Sequence, residues 1–472
     1  MSNSTASVQT RLWPALKIVS WMVPLALLHG LIFLLIVPPW QHYDEPSHLS
    51  YAAQIAAEGR ESLVPQSRLI NLAIVDSMYR YNFYPPGEVP VIGSGTPSVG
   101  YGQWIYLPLY YGMVAELLDF VQHLPVEQQL YAARGLSLCF YVLTILVAWR
   151  VAVVMLPEQP QLQLVLPLLL LFMPTFVDIM TAVNNDVLVN FGVMVMFLGS
   201  ALLIRDGLRP TGLALALLGL AVGILAKRTA VTALPILALA LFWSVRRRPL
   251  PRALLLPGML LGGVGLPAAA LRLEYVEGVW QLLPRDWLMT LDQNYTSLFI
   301  DLLLRSVTDW KLSEFSDPLF LYPLVFRTVF ESFWAHLAWG NVVLGTPTLI
   351  TMLLIAVASL IGLLIRGWQD RRRLPLWQRR FIWLLFISVC LAWIAAILRV
   401  HPLPPLVSWF YVPRGRYIFW ALLPHLWLLV WGWQGLFPAR WRPQSALLLL
   451  GGAIVLSTYT WAVVLPRFYY GA

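Results

Sequence analysis

Two adjacent carboxylates and two histidines share one short stretch, Pro38-Pro39-Trp40-Gln41-His42-Tyr43-Asp44-Glu45-Pro46-Ser47-His48. Asp44 stands four residues before His48 and Glu45 three, so on a helix the imidazole lies over both acids. A carboxylate framed in this way and partly shielded by apolar surface suits a general base. Asp44 and His48 are also ligand types for a divalent metal, although no third ligand is evident beside them. A structural duty fits the same residues: acids cap the positive end of a helix while a histidine meets lipid headgroups.

Further polar groups interrupt the apolar runs. Asp178 is followed by Asn184-Asn185-Asp186, a dense set of donors and acceptors suited to sugar hydroxyls. Asn-Asn-Asp also simply turns a chain. Asp178 lies inside an apolar run and therefore requires a partner or a role. Lys227-Arg228 separates two apolar runs, which suits either binding a phosphate or snorkelling to headgroups. Arg414-Gly415-Arg416-Tyr417 offers paired guanidinium groups, which grip phosphate oxygens through several donors at once. Arg134, at the start of another run, is a candidate to join them. Cations and carboxylates on one face are what a reaction needs when a phosphate leaves while a hydroxyl loses its proton.

The elements that must hold these residues follow from composition. Of 472 residues, 59% are hydrophobic and only 12% charged, and the mean hydropathy is +0.70. No soluble fold hides that much apolar surface, so an all-α polytopic membrane protein is expected. The net charge of +9 comes almost wholly from arginine, with lysine only at 17, 227 and 311. Arginines in short loops between apolar runs are topology signals facing anionic lipid and imply no nucleic-acid partner. The two cysteines, Cys139 and Cys390, fall in apolar runs and read as packing groups. The first apolar run, about 13–37, reads as an uncleaved span.

Spans are predicted at about 16–37, 131–152, 162–181, 186–204, 211–226, 229–245, 253–271, 346–365, 381–399, 417–436 and 445–465. Arg150, Arg205 with Arg209, Arg246–Arg248, Arg366–Arg380 and Arg440 with Arg442 then fall at one side, which the positive-inside rule places in the cytoplasm. Counting 103–120 as a further span would break that agreement, so it reads as an interfacial helix. About eleven transmembrane helices result, with the N-terminus inside and the C-terminus outside. Two long extracytoplasmic loops, 38–130 and 272–345, carry most of the acids. Residues 46–58 read as a short helix, with Pro46 in its first turn and Gly59 as its stop. Residues 84–102, rich in Gly, Pro and Ser, read as a mobile loop, and 318–339 as an aromatic amphipathic stretch. The chain divides into a core, 1–271, and a second part, 272–472.

Five stretches in order resemble the GT-C superfamily of membrane glycosyltransferases, which includes the protein O-mannosyltransferases and bacterial lipid A aminoarabinose transferases. They are Tyr43-Asp44-Glu45-Pro46-Ser47-His48, Leu107-Pro108-Leu109-Tyr110-Tyr111, Ala132-Ala133-Arg134, Asn184-Asn185-Asp186 and Ala226-Lys227-Arg228-Thr229. The segments Glu331–Gly340 and Arg414–Ile418 look more like uncharacterised bacterial members. The resemblance implies a bacterial plasma-membrane enzyme working on its extracytoplasmic face. It would transfer a sugar, with inversion, from a polyprenyl-phosphate donor to an acceptor that is a glycan, lipid or protein. On that reading the catalytic carboxylate is Asp44 or Glu45. Lys227, Arg228, Arg414 and Arg416 would bind the donor phosphate, while His48, Arg134, Asn185, Asp186 and Tyr417 would orient sugar or acceptor. No cofactor is required, though a divalent metal on Asp44 and His48 is compatible with it. The chain departs from the family pattern at Leu107, where proline is usual, which bears on metal use and acceptor binding. The alternative from the residues alone is a transporter or flippase of a lipid-linked saccharide, against which stands the lack of an inverted repeat.

Overall fold

In the computed structural model the described residues are 3–58, 68–83, 109–246, 318–400 and 413–471. The helices begin with α1 (Asn3–Ile36), α2 (Glu45–Glu58), α3 (Arg68–Arg80), α4 (Leu109–Val121), α5 (Val126–Met155), α6 (Pro160–Leu171) and α7 (Pro174–Met180). Next come α8 (Asp186–Asp206), α9 (Pro210–Ala226), a 3-10 turn (Arg228–Ala233), α10 (Leu234–Val245) and α11 (Pro318–Trp334). A two-residue hairpin, β1 (His336–Leu337) with β2 (Val342–Val343), precedes α12 (Thr346–Asp370) and α13 (Leu376–Val400). A second 3-10 turn (Gly415–Ala421) leads into α14 (Leu422–Gly435), α15 (Arg442–Tyr459), a π turn and α16 (Leu465–Tyr470).

Among the described residues six helices are long and apolar enough to cross a bilayer, and the bent pair α6–α7 would make seven. Two shorter apolar stretches, Pro210–Ala226 and Thr229–Val245, accompany them. The chain is thus a helical integral membrane protein. The expected span at 253–271, the loop 84–102 and Gly59 lie outside the described residues. The expected helix 46–58 starts one residue early, at Glu45, and the 103–120 region contributes the 13-residue α4, too short to span.

Two expectations need correction. The stretch 162–181 is not one straight span: α6 and α7 meet at 66°. Pro174 supplies no N–H and pushes Met173 out of the helical region, to φ −80° and ψ 109°. The Tyr141 hydroxyl donates to the freed Leu171 carbonyl at 2.7 Å. The aromatic stretch 318–339 is helical only to Trp334. Ala338, Trp339 and Gly340 all take positive φ, which turns the chain into the β1–β2 hairpin.

Small residues set the closest helix contacts. Gly192 and Gly199 of α8 face Gly219 and Ala216 of α9, and Gly362 of α12 meets Gly432 of α14. Without Cβ atoms the backbones approach closely, the usual way to pack helices where no water is excluded. The same bundle sorts its ends. Arg205 Nη1 reaches Val154 O at 3.3 Å, Gln378 Nε2 reaches Met155 O at 2.9 Å, and Arg380 Nη1 reaches Trp243 O at 2.9 Å. Arg442 Nη2 meets Gln369 Oε1 at 2.6 Å. These arginine turns therefore pair up helix by helix, whereas the loop after α1 and the start of α8 belong to the opposite end. Tyr470, at the end of α16, donates to Ile36 O at the end of α1, so the last helix finishes at that opposite end.

A Cβ at Gly199 would lie 2.2 Å from Ala216 N, and one at Gly452 meets nothing within 4 Å. Gly199→Val is therefore expected to lower the thermal unfolding midpoint in detergent, with an overpacking cost of at least about 1–3 kcal/mol. Gly452→Val should leave the midpoint nearly unchanged. Equal midpoints for both variants would contradict this helix contact.

Candidate functional site

One ion pair fixes the site end of the bundle. Glu45, the first residue of α2, is fully buried against the fully buried Arg134 of α5. Arg134 Nε donates to Glu45 Oε1 at 2.8 Å and Nη2 to Oε2 at 2.6 Å. The remaining Arg134 donors reach the carbonyls of Leu34, Val37 and Pro38, at 3.0, 2.8 and 2.9 Å. These oxygens end α1 and lack helical partners, so one guanidinium caps a helix and anchors the next. Glu45 also accepts from the backbone N–H groups of Trp40 and Val183, both at 3.2 Å. Burial alone would raise its pKa, but Arg134 outweighs burial and holds the carboxyl below its ordinary range. Arg134 is thus committed to Glu45 and does not join Arg414 and Arg416.

Asp44 points elsewhere. Its backbone takes φ +57°, an uncommon conformation outside glycine. That turn sends its side chain away from Glu45, toward Arg416, whose Nη2 lies 2.6 Å from Asp44 Oδ2. The carboxylate stays 31% exposed, which separates it from the sealed Glu45. Burial pushes its pKa up, but Arg416, with His48 and Lys227 nearby, holds it below the ordinary aspartate value. Across the site Lys227 Nζ pairs with Asp186 Oδ1 at 2.6 Å. The Tyr417 ring joins the two pairs: Lys227 Nζ lies 5.7 Å from its centroid and the Arg416 guanidinium 5.5 Å. Asp44, Asp186, Lys227, Arg416 and Tyr417 therefore form one cluster.

The turn before α8 serves this cluster. Asn184 Oδ1 accepts the Asp186 N–H at 2.9 Å, and Asn184 Nδ2 reaches Tyr43 O at 3.4 Å. Asn185 reaches Ala226 O, beside Lys227, at 3.4 Å, and its buried Oδ1 has no hydrogen-bond partner among the described residues. Arg416 Nε is likewise buried and unpartnered. Such groups are costly to leave unmet, and a ligand bringing both an acceptor and a donor would relieve them. His48 Nδ1 is bonded to the Tyr111 hydroxyl at 2.7 Å. Burial pushes its pKa down to about 4, which keeps the ring neutral near pH 7. Arg228 opens the 3-10 turn after α9, and its side chain lies outside the described atoms.

Some contributors, among them His336, Thr175 and Ser77, were not singled out by sequence reasoning. His336, in β1, bonds the Tyr43 hydroxyl through Nδ1 and faces Arg414 Nη1 through Nε2 at 3.4 Å. Its N–H is held by Thr175 Oγ1 of α7 at 3.0 Å. Asp178 finds its expected partner in His42, with Nδ1 and Oδ1 2.8 Å apart but not aligned as a hydrogen bond. Trp40 takes φ +72° and is held by Ser77 through Nε1 and by Trp339 through its carbonyl. The signal available for the hairpin was Gly340, whose φ of +92° suits glycine; positive φ at Ala338 and Trp339 leaves no mark in residue type.

An apolar cavity of about 260 Å³ lies between α11, α12, α13 and α14. Phe326, Phe330, Phe333, Val357, Leu360 and Trp393 are among its walls. Val357 and Leu360 are exposed, so the cavity meets the outer surface of the bundle. Phe333, one of its walls, packs its backbone directly on Gly415, which lies between Arg414 and Arg416 in the chain.

A metal fits these residues poorly. Asp44 and Asp186 each hold a cation, His48 Nδ1 is spent on Tyr111, and among the described residues no three His, Cys, Asp or Glu side chains gather as a metal site.

The burial contrast gives a direct expectation. Arg134→Met leaves Glu45 buried without its partner and should destabilise the protein by about 3–5 kcal/mol. Asp44→Asn removes a partly exposed group and should cost clearly less, with both read as detergent unfolding midpoints. A larger loss at Asp44 than at Arg134 would invert these assignments. Comparison with protein-family models, curated proteins and solved structures found no match to this chain.

Proposed function

We propose that this chain is an inverting glycosyltransferase of the GT-C kind, which moves a sugar from a polyprenyl-phosphate donor to an acceptor hydroxyl at the membrane surface. The observation that carries the reading is the pairing of Asp44 with Arg416 and Asp186 with Lys227 around Tyr417, together with an apolar cavity whose wall residue Phe333 packs on Gly415. An amphiphilic anion suits that neighbourhood: its prenyl chain would lie in the cavity and its phosphate against the cations.

In the reaction the acceptor oxygen attacks the anomeric carbon as the carbon–oxygen bond to phosphate breaks. Polyprenyl phosphate leaves with the bonding electrons, and one displacement inverts the centre. Lys227, Arg414 and Arg416 offset the charge that grows on the phosphate. Asp44 takes the acceptor proton. Glu45 is the weaker candidate for that step, because all its contacts are spent inside the bundle. Asn185, with its unmet Oδ1, and Asp186 would orient sugar hydroxyls.

Arg416 has two claimants in this scheme. In the free protein it holds Asp44; in the complex the phosphate competes for it. Asp44 then loses its main stabilising charge and becomes more basic when the donor is in place. The bent span α6–α7 favours a second reading, a carrier of a lipid-linked saccharide, because interrupted helices line many transport paths.

A transfer assay with purified protein and polyprenyl-phosphate sugars separates the two. Asp44→Asn should reduce kcat by roughly 10²–10⁴-fold while the protein stays folded; unchanged turnover would sink the assignment, and no transfer by the wild type would favour the carrier. The pH profile adds a sign. Asp44 must be ionised to act, so activity falls as pH drops through its pKa. The kcat/KM profile reports the free protein, where Arg416 depresses that pKa, and kcat reports the complex. The acid limb of kcat should therefore lie at higher pH than that of kcat/KM; coincident limbs would contradict competition for Arg416. For sidedness, His123→Cys and Arg372→Cys in a background lacking Cys139 and Cys390 should label from opposite membrane faces. Labelling from one face would refute the topology.

A further inference from the structure

Tyr43 sits one residue before the proposed base, and its hydroxyl proton can be traced. Arginine has donors only, so the His336 nitrogen that faces Arg414, Nε2, presents its lone pair. Burial, with Arg414 and Arg416 adding to it, pushes the His336 pKa down to about 3, so the ring is neutral. A neutral imidazole carries one proton, which must then be on Nδ1. Nδ1 donates it to the Tyr43 oxygen. The Tyr43 hydroxyl is thereby an acceptor toward His336, and its own proton has no acceptor among the described residues.

That proton stands close to two guanidinium groups. The Arg416 guanidinium lies 4.8 Å from the Tyr43 ring centroid. Arg414 and Arg416 are the two charges that act most strongly to ease ionisation of the phenol, yet burial outweighs them and keeps it protonated. Arg416 Nε is an unspent donor alongside it. The backbone of Gly340 closes the opposite side, since a Cβ there would lie 2.3 Å from His336 Cε1 and 3.2 Å from the Tyr43 oxygen. The His336 ring therefore cannot swing toward Gly340 and take its bond with it.

We propose that Tyr43 is a ligand-binding residue that donates its hydroxyl proton to a phosphate oxygen of the lipid-linked donor, and that His336 is the positioning residue that turns that proton toward the ligand. The inference rests on the phosphate reading of the site. It adds a neutral donor between two guanidinium groups, which fixes the rotation of the phosphate where charge alone would only hold it near. It also gives the hairpin a task, because β1 delivers His336 to the far side of Tyr43.

Farnesyl phosphate and farnesol, titrated against the full chain in lipid nanodiscs, test this without any turnover. Tyr43→Phe removes one hydrogen bond to a charged group, so farnesyl phosphate affinity should fall roughly 10- to 100-fold. Farnesol, which lacks the anion, should bind as it does to the wild type. His336→Phe keeps a flat ring but no donor and should weaken farnesyl phosphate; His336→Asn restores an N–H near Nδ1 and should recover most of the affinity. Wild-type affinity for farnesyl phosphate in Tyr43→Phe overturns the proposal and leaves the phosphate site standing. Equal losses for both ligands overturn it as well, since they mark a general disturbance. A wild type that binds farnesol but not farnesyl phosphate overturns the proposal together with the phosphate reading on which it rests.

Discussion

The buried pair of Glu45 and Arg134 is the constraint on which the rest of this structure depends. Two charges removed from water are stable only if every donor and acceptor is met. Here the lone pairs of Glu45 take two guanidinium N–H groups and two backbone N–H groups, while Arg134 spends its other donors on the carbonyls that end α1. Four segments are tied at one point: the end of α1, the loop to α2, the start of α5 and the turn before α8. The loop is short and carries two non-glycine residues at positive φ, Trp40 and Asp44. Such conformations cost about 1–3 kcal/mol each and persist only where their surroundings over-determine them. The ion pair and the contacts of Trp40 supply that surrounding.

The consequence is a division of labour between neighbours in sequence. Glu45 is sealed and structural, while Asp44 is turned out toward Arg416 and remains partly exposed. The facing charges come close to balance: Asp44 and Asp186 against Lys227, Arg414 and Arg416 leave a small positive excess. A site of this kind holds together when empty and still favours an anion. On the proposed reading, ligand binding is an exchange of partners at Arg416, which would link the phosphate to the basicity of Asp44.

Much of this was legible in the residues. In a chain with so few charges, each polar interruption of an apolar run marks a constraint, and Asp44, Asp186, Lys227, Arg416 and Tyr417 were visible for that reason. The arginine turns likewise sort to one end of the bundle. What could not be read was the pairing. Spacing along a helix cannot separate Asp44 from Glu45, because the difference lies in a backbone angle at Asp44. Arg134 looked like one more outer cation, and only its position beneath the end of α1 shows otherwise. The break at Phe172–Met173 was encoded by Pro174 but masked by the apolar run around it. His336 stood in a stretch read only as aromatic and amphipathic, and the hairpin that brings it to Tyr43 depends on positive φ at residues whose types do not announce it.

The most direct measurement is an experimental density map of the protein with polyprenyl phosphate bound. This account requires the phosphate within hydrogen-bonding distance of Arg416 and Lys227, Asp44 displaced from Arg416, and the prenyl chain running along Phe333 into the cavity between α11 and α14. A phosphate bound away from Arg416 and Lys227, with the Asp44–Arg416 pair intact, would contradict it.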